Sequence, residues 1–97
     1  MKAAVWVAAN TIELKDIPVP SPGPGEVLIK VQACGVCGTD VHICAGEVPL
    51  ATPPEVLGHE ICGEVVEASP GVRGFAKGDR ICVNPVVGCG ICSWCQA

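Results

Sequence analysis

Alternating apolar and polar side chains are the dominant pattern along this chain, and they predict strands rather than long helices. The apolar segment 2–8 and the alternating segment 11–17 flank Asn10. They are therefore expected to form a hairpin, with one face of its second strand in water. Further strand patterns occupy 26–33, 61–68 and 79–84.

Proline and glycine separate these strands. Four prolines within 18–25 predict a stiff extended connector, because proline fixes φ and lacks an amide donor. One or two helical turns are expected over 39–45, with Thr39 as the N-cap. The last segment, 88–97, has no periodicity. This order of elements predicts one mainly β domain, a barrel or a sandwich.

Composition and charge narrow the class of protein. The hydrophobic fraction is 49%, with two Trp, one Phe and no Tyr, and small branched side chains of this kind favour strands. A net charge of −4 argues against a nucleic-acid partner. No apolar run reaches the roughly 18 residues of a membrane helix, so no membrane partner is expected. We expect a cytoplasmic protein, in which eight cysteines favour metal binding over disulfides.

The strongest chemical motif is Cys89-Gly90-Ile91-Cys92-Ser93-Trp94-Cys95, with three thiols at three-residue spacing. Soft thiolates this close suit a tetrahedral zinc ion or an iron–sulfur cluster. An iron–sulfur electron carrier would leave the second motif, described next, without a role. A four-thiolate site would need one further sulfur.

The second motif, 34–42, holds two thiols, a hydroxyl, a carboxylate and an imidazole within nine residues. Its Cys-x-x-Cys pair, Cys34 and Cys37, has three interpretations. A redox dithiol expects a βαβ context, which is missing. A zinc ribbon shared with the later cysteine motif would span 52 positions from Cys37 to Cys89, against a usual spacing of roughly 15–20. The third interpretation pairs Cys37 with a distant histidine.

That histidine is His59, 22 positions after Cys37, in Gly58-His59-Glu60. A lone histidine is more often a hydrogen-bonded structural residue than a ligand. The adjacent Glu60 and a thiol in the same small domain favour a ligand here. Two protein ligands leave coordination positions open, as catalytic zinc sites require.

These motifs also carry a resemblance that runs in order over essentially the whole chain. The matching segments are 2–5, 20–27, 35–42, 53–60, 63–67, 71–75, 78–81 and 89–95. In sequence and spacing they resemble the amino-terminal part of the zinc-dependent medium-chain alcohol and polyol dehydrogenase family. The resemblance implies a GroES-like, partly open β-barrel with short helical turns. No G-x-G-x-x-G motif or βαβ pattern is present, so no Rossmann domain is expected in these residues.

The resemblance also assigns roles to the metal-binding residues. It implies that Cys37 and His59 hold a catalytic zinc, that Glu60 is a neighbouring acid able to approach the metal, and that Asp40 orients His59. A carboxylate on the second ring nitrogen of a liganded histidine fixes its tautomer. The thiols of a structural zinc are then Cys89, Cys92 and Cys95.

The expected reaction is the oxidation of an alcohol or polyol by hydride transfer to NAD or NADP. By resemblance, Thr39 takes the proton of the alcohol, whose pKa zinc lowers, and His42 passes it to solvent. Gly38, in Cys-Gly-Thr-Asp, leans towards the polyol and threonine dehydrogenase branches. Three further cysteines are expected to act as small hydrophobic side chains of the core, namely Cys34, Cys44 and Cys62.

Part of such an enzyme is expected to lie beyond residue 97. The third ligand of the catalytic zinc, the fourth structural cysteine and the cofactor domain match no residue here, and 85–97 would be only the start of the structural-zinc lobe. The chain alone is therefore expected to be inactive, and the full-length form to be a homo-oligomer. The alternative is a stand-alone β module that zinc stabilises without catalysis.

Overall fold

Strands form most of the regular structure in the computed structural model, which describes residues 1–97. The elements in chain order are β1 (Lys2–Ala8), β2 (Thr11–Asp16), β3 (Val27–Gly35), α1 (Gly38–Cys44), β4 (Glu60–Ala68), β5 (Arg80–Cys82) and α2 (Ser93–Gln96). β1 and β2 form one antiparallel sheet, and β3, β4 and β5 form a second in that order. The predicted mainly β fold with short helical turns is confirmed, and neither sheet closes into a barrel.

The first sheet is the predicted hairpin. Its strands pair from Lys2 opposite Asp16 to Ala8 opposite Thr11, and Asn10 makes the turn with a left-handed φ of 55°, which asparagine tolerates well. One expectation is wrong: both faces of β2 are exposed, and Leu14 is 72% accessible. Alternation in the sequence identifies the strand, but no other element packs on its apolar side.

Trp6 ties this hairpin to the rest of the chain. Its side chain is only 3% exposed, and its Nε1–H donates to the carbonyl of Cys44 at 3.0 Å. Its backbone exchanges two hydrogen bonds with Glu55, of 2.8 and 3.0 Å. β1 therefore holds both the end of α1 and the segment that leads to His59.

The second sheet has β4 at its centre, where Val65 is fully buried. Gly63 is needed there, since a Cβ would clash with the carbonyl oxygen of Lys30 on β3. β3 continues past Ala33, its predicted end, to Gly35. β5 is shorter than the predicted 79–84. The longer β3 brings the chain directly to Cys37.

The apolar core is small. Its buried side chains are Val5, Trp6, Ile43 and Val65. The expectation that three further cysteines belong to this core is wrong for Cys34, which is exposed, while Cys44 and Cys62 are only partly buried. The reason is that β3 is exposed from its fourth residue onwards, so its carboxyl half has no core to enter.

The helices differ from expectation at their starts. α1 begins at Gly38 with Cys37 as its N-cap, so the predicted N-cap Thr39 lies inside the first turn. Asp40 explains the shift, because its carboxylate accepts the amide hydrogen of Cys37 at 3.0 Å. α2 was not expected, since four residues are too few to show a period. No helix is long and apolar enough to cross a membrane.

Candidate metal centre

Strand pairing positions the two halves of the site. Gly35, the last residue of β3, pairs with Glu60, the first residue of β4. Cys37 follows that pair on one strand, and His59 precedes it on the other. Side chains 22 positions apart in sequence are therefore brought to the same end of the sheet.

Three side chains converge at this end. The Sγ atom of Cys37 lies 3.4 Å from Nε2 of His59, and Oδ1 of Asp40 lies 3.2 Å from Nδ1 of the same ring. The second carboxylate oxygen, Oδ2, accepts the amide of Cys37. Asp40 therefore holds both the thiol-bearing residue and the imidazole, and the predicted link between Asp40 and His59 is present in the structure.

Burial makes the Asp40 contact important. The residue is only 9% exposed. Its Oδ1 atom makes no hydrogen bond of good geometry, although Nδ1 of His59 lies 3.2 Å away. A buried carboxylate oxygen is costly unless a donor compensates it. We therefore assign the ring proton to Nδ1, which leaves the lone pair of Nε2 directed towards Cys37.

The separation of the two ligand atoms fits zinc. Zn–S and Zn–N bonds of about 2.3 and 2.0–2.1 Å at a tetrahedral angle require an S···N distance of about 3.6 Å. The observed distance is 3.4 Å. The thiol, the imidazole and the carboxylate behind it form one potential metal-binding group, and two such ligands leave room for others.

The second thiol motif forms a separate cluster. The sulfur of Cys95 lies 3.8 Å from that of Cys89 and 3.5 Å from that of Cys92. Tetrahedral Zn–S bonds require about 3.8 Å between sulfurs, so this group also fits zinc. Backbone amides of Ile91 and Cys92 lower the pKa of the Cys89 thiol to about 7 from its ordinary value of 9.0, which favours the thiolate that binds metal.

The remaining predicted site residues lie outside both groups. Glu60 is exposed, and a Cβ on Gly35 would meet its carboxylate, so the acid lies over that glycine. Thr39 and His42 are exposed on α1. His42 contacts the carboxylate of Glu47 through Nδ1, a partner that the sequence analysis missed. Their catalytic roles stay predictions.

The zinc ribbon considered above, in which Cys34 and Cys37 would share a metal with the later cysteine motif, is not formed in the structure. Cys34 points its thiol at the carbonyl of Gly35, at 3.5 Å, and belongs to neither potential metal group. Cys37 groups with Asp40 and His59 instead. The Cys-x-x-Cys spacing in the second motif therefore does not bring Cys34 and Cys37 together as ligands of one metal site.

Comparison with known proteins agrees with this architecture. The family model described as the alcohol dehydrogenase GroES-like domain matches residues 23–97. The chain belongs to this family. The match covers β3, both thiol motifs and His59, so the predicted GroES-like fold is confirmed.

Individual relatives are similar over nearly the whole chain. An L-threonine 3-dehydrogenase of Pyrococcus furiosus is 48% identical over 87 residues, which are 87% of this chain and 25% of that protein. A protein of Sinorhizobium meliloti 1021, named as a zinc-binding dehydrogenase and solved bound to NADP, is 48% identical. It superposes with a TM-score of 0.86 over 98% of this chain and 28% of its own.

A third relative links this fold directly to metal. The thermostable alcohol dehydrogenase of Pyrobaculum aerophilum, solved with cobalt and zinc bound, is 39% identical with a TM-score of 0.89. The superposition covers 99% of this chain and 30% of the Pyrobaculum aerophilum chain. The chain therefore spans between a quarter and a third of the length of these relatives.

Proposed function

We propose that this chain is the zinc-holding part of an NAD(P)-dependent alcohol or polyol dehydrogenase. The observation that carries the proposal is the group of Cys37, Asp40 and His59, whose ligand atoms lie within 4.8 Å of one another. Relatives named as dehydrogenases share this fold. The substrate is then a small molecule bearing a hydroxyl group.

The chain's own residues divide the work at this site. Cys37 and His59 would hold zinc, which as a Lewis acid lowers the pKa of an alcohol. Asp40 keeps the ring proton on Nδ1 and so keeps Nε2 free for the metal. Its hydrogen bond to the amide of Cys37 also keeps the thiol at the helix start.

A proton route would start at the exposed helix face. Thr39 and His42 are three positions apart in α1, and residues at that spacing are neighbours on a helix surface. The hydroxyl of Thr39 would accept the proton of the alcohol, and His42 would release it to water. Glu47 holds the His42 ring through Nδ1, which leaves Nε2 for the exchange.

The direct test is oxidation by the protein as its natural gene encodes it, with zinc loaded. A panel of ethanol, a polyol and L-threonine would be offered with NAD or NADP, and reduced cofactor followed by absorbance. At least one pair is expected to react, and Thr39→Val should lower kcat by about 100-fold or more while zinc stays bound. Thr52→Val, on an exposed loop, is the matched control. Turnover that Thr39→Val leaves unchanged would contradict the proton route.

The 97-residue chain alone is proposed to be inactive. Hydride transfer needs an acceptor, and these residues contain no G-x-G-x-x-G unit to hold a nicotinamide. The nicotinamide site would lie in further residues, and the complete protein would form a homo-oligomer in the cytoplasm. Alcohol-dependent NAD(P) reduction by the purified 97-residue chain would refute this.

A second candidate is a zinc-stabilised β module without catalysis. It is favoured by the small core of four buried apolar side chains, because domains of this size often need a metal or a disulfide for stability. Under this alternative, Cys37→Ser would lower the midpoint temperature of thermal unfolding, and the complete protein would oxidise no alcohol with or without the substitution. Under the enzyme proposal it would abolish turnover in the complete protein.

A further inference from the structure

Two cysteines outside both metal groups face each other across the second sheet. Cys62 on β4 and Cys82 on β5 are direct partners in the antiparallel register. Directly opposed residues point to the same face of a sheet. This pairing cannot be predicted from the sequence, because the two residues are 20 positions apart and belong to neither of the thiol motifs described above.

The hydrogen bonds around this pair define its type. The amide of Val83 donates to the carbonyl of Ile61 at 2.8 Å, and the amide of Val65 donates to Asp79 at 2.8 Å. These bonds lie on alternate pairs of the ladder, which makes Cys62 and Cys82 a non-hydrogen-bonded pair. Such pairs have the closer backbones, with Cα atoms about 4.5 Å apart. That distance lies within the range of about 4.4–6.8 Å that disulfides span.

One thiol of the pair is open to reagents. Cys82 is exposed at the edge strand of the sheet, Cys62 is partly buried beside it, and both are free. We propose that Cys62 and Cys82 are a reversible oxidation site that closes to a cross-strand disulfide when the protein meets a peroxide. The paired backbones already place the two Cα atoms within the range of a disulfide, and rotation about χ1 would turn the sulfurs towards each other.

The reaction balances with one peroxide. The exposed Cys82 thiolate attacks one oxygen of hydrogen peroxide, which gives a sulfenic acid and releases hydroxide. The proton that the Cys82 thiol lost converts this hydroxide to water. Cys62 then displaces the sulfenic hydroxyl, so that an S–S bond forms and the hydroxyl leaves as a second water with the thiol proton of Cys62. Two thiols are oxidised and one peroxide is reduced to two waters. A small thiol reductant reverses the step by thiol–disulfide exchange.

Peptide mapping tests the proposal without any substitution. The reduced protein would be loaded with zinc, so that Cys89, Cys92 and Cys95 are held as metal ligands, and then treated with an equimolar amount of hydrogen peroxide. Its remaining thiols would be alkylated, and the product digested unreduced with trypsin and a Glu-specific protease. Cleavage after Glu60 and Glu64 releases 61–64, which contains Cys62 alone, and cleavage after Arg80 releases the peptide that begins at Ile81 and contains Cys82. We expect these peptides to be joined, with tandem fragmentation before Pro85 placing the bridge on Cys82.

A control keeps the number of thiols and changes only the face. The double variant Cys82→Ser, Val83→Cys moves the thiol to the next residue, whose side chain points to the opposite side of the sheet. It should lose the bridge to 61–64, and dithiothreitol should remove that bridge from the parent. Alkylation of both Cys62 and Cys82 in the oxidised parent would overturn the proposal, and so would an equal yield of bridge in the control. Circular dichroism of each chain checks that folding is unchanged.

Discussion

Replacement of Asp40 by asparagine tests how the metal centre is held. Asp40→Asn keeps the shape of the side chain but exchanges one acceptor oxygen for an NH₂ donor. If the NH₂ group faced the amide of Cys37, two donors would oppose each other where a 3.0 Å hydrogen bond now forms. If it faced His59, Nδ1 would have to accept, and the ring proton would move to Nε2. That proton would block the nitrogen that lies 3.4 Å from the thiol.

Either orientation breaks one of the two contacts of the carboxylate, so zinc affinity should fall. Partners of liganded histidines typically contribute 10- to 100-fold in metal affinity, which corresponds to about 1.4–2.8 kcal/mol. The assay is a competition titration of zinc against a chromophoric chelator. It would be made in a Cys92→Ser background, where the separate thiol cluster has lost a ligand.

Asp16→Asn is the matched control, since it removes the same charge from an exposed position on β2. It should leave the zinc affinity unchanged. A zinc dissociation constant for Asp40→Asn within about twofold of the parent, with an unchanged circular dichroism spectrum, would refute the role given to this carboxylate.

Three further predictions concern stability and thiol chemistry. Gly63→Ala should cost about 1–3 kcal/mol in urea unfolding because its methyl group meets a carbonyl of β3. Gly38→Ala, with nothing within 4 Å, should change stability by less than about 1 kcal/mol; equal losses would contradict this. Trp6→Phe should lower the free energy of unfolding by about 1 kcal/mol, because the Cys44 carbonyl loses the indole N–H donor but keeps a backbone donor. An unchanged free energy of unfolding would argue against a stabilising hydrogen bond between Trp6 and the end of α1. In metal-free protein, alkylation of Cys89 should reach half its maximal rate near pH 7, because its folded-state pKa is lowered to about 7. The urea-denatured chain should require a higher pH, and identical profiles would contradict the local cause.

The sequence predicted those parts of the structure that depend on local pattern. Alternation and turn residues located the hairpin around Asn10, and the extent of β3 and β4 was close to that observed. The pairing of Cys37 with His59 was expected from residue chemistry and resemblance. It is realised because Gly35 and Glu60 are strand partners.

Two kinds of feature could not be predicted from the sequence: the register between strands, and which strand faces are covered by other elements. The apolar residues of β2 predicted a buried face, yet Leu14 is exposed because no element packs against it. The exposed position of Cys34 has the same cause. The opposition of Cys62 and Cys82 depends on the alignment of β4 with β5. With three residues, β5 is too short for its own apolar pattern to predict that register.

We propose that Cys37 and His59 hold a zinc ion that the thiol cluster does not share. Diffraction data from zinc-loaded crystals, collected on both sides of the zinc absorption edge, test it most directly. Two separate anomalous peaks are expected, one between Sγ of Cys37 and Nε2 of His59 and one among Cys89, Cys92 and Cys95. The absence of a peak at the first position, or a single peak shared by Cys37 and Cys89, would contradict it.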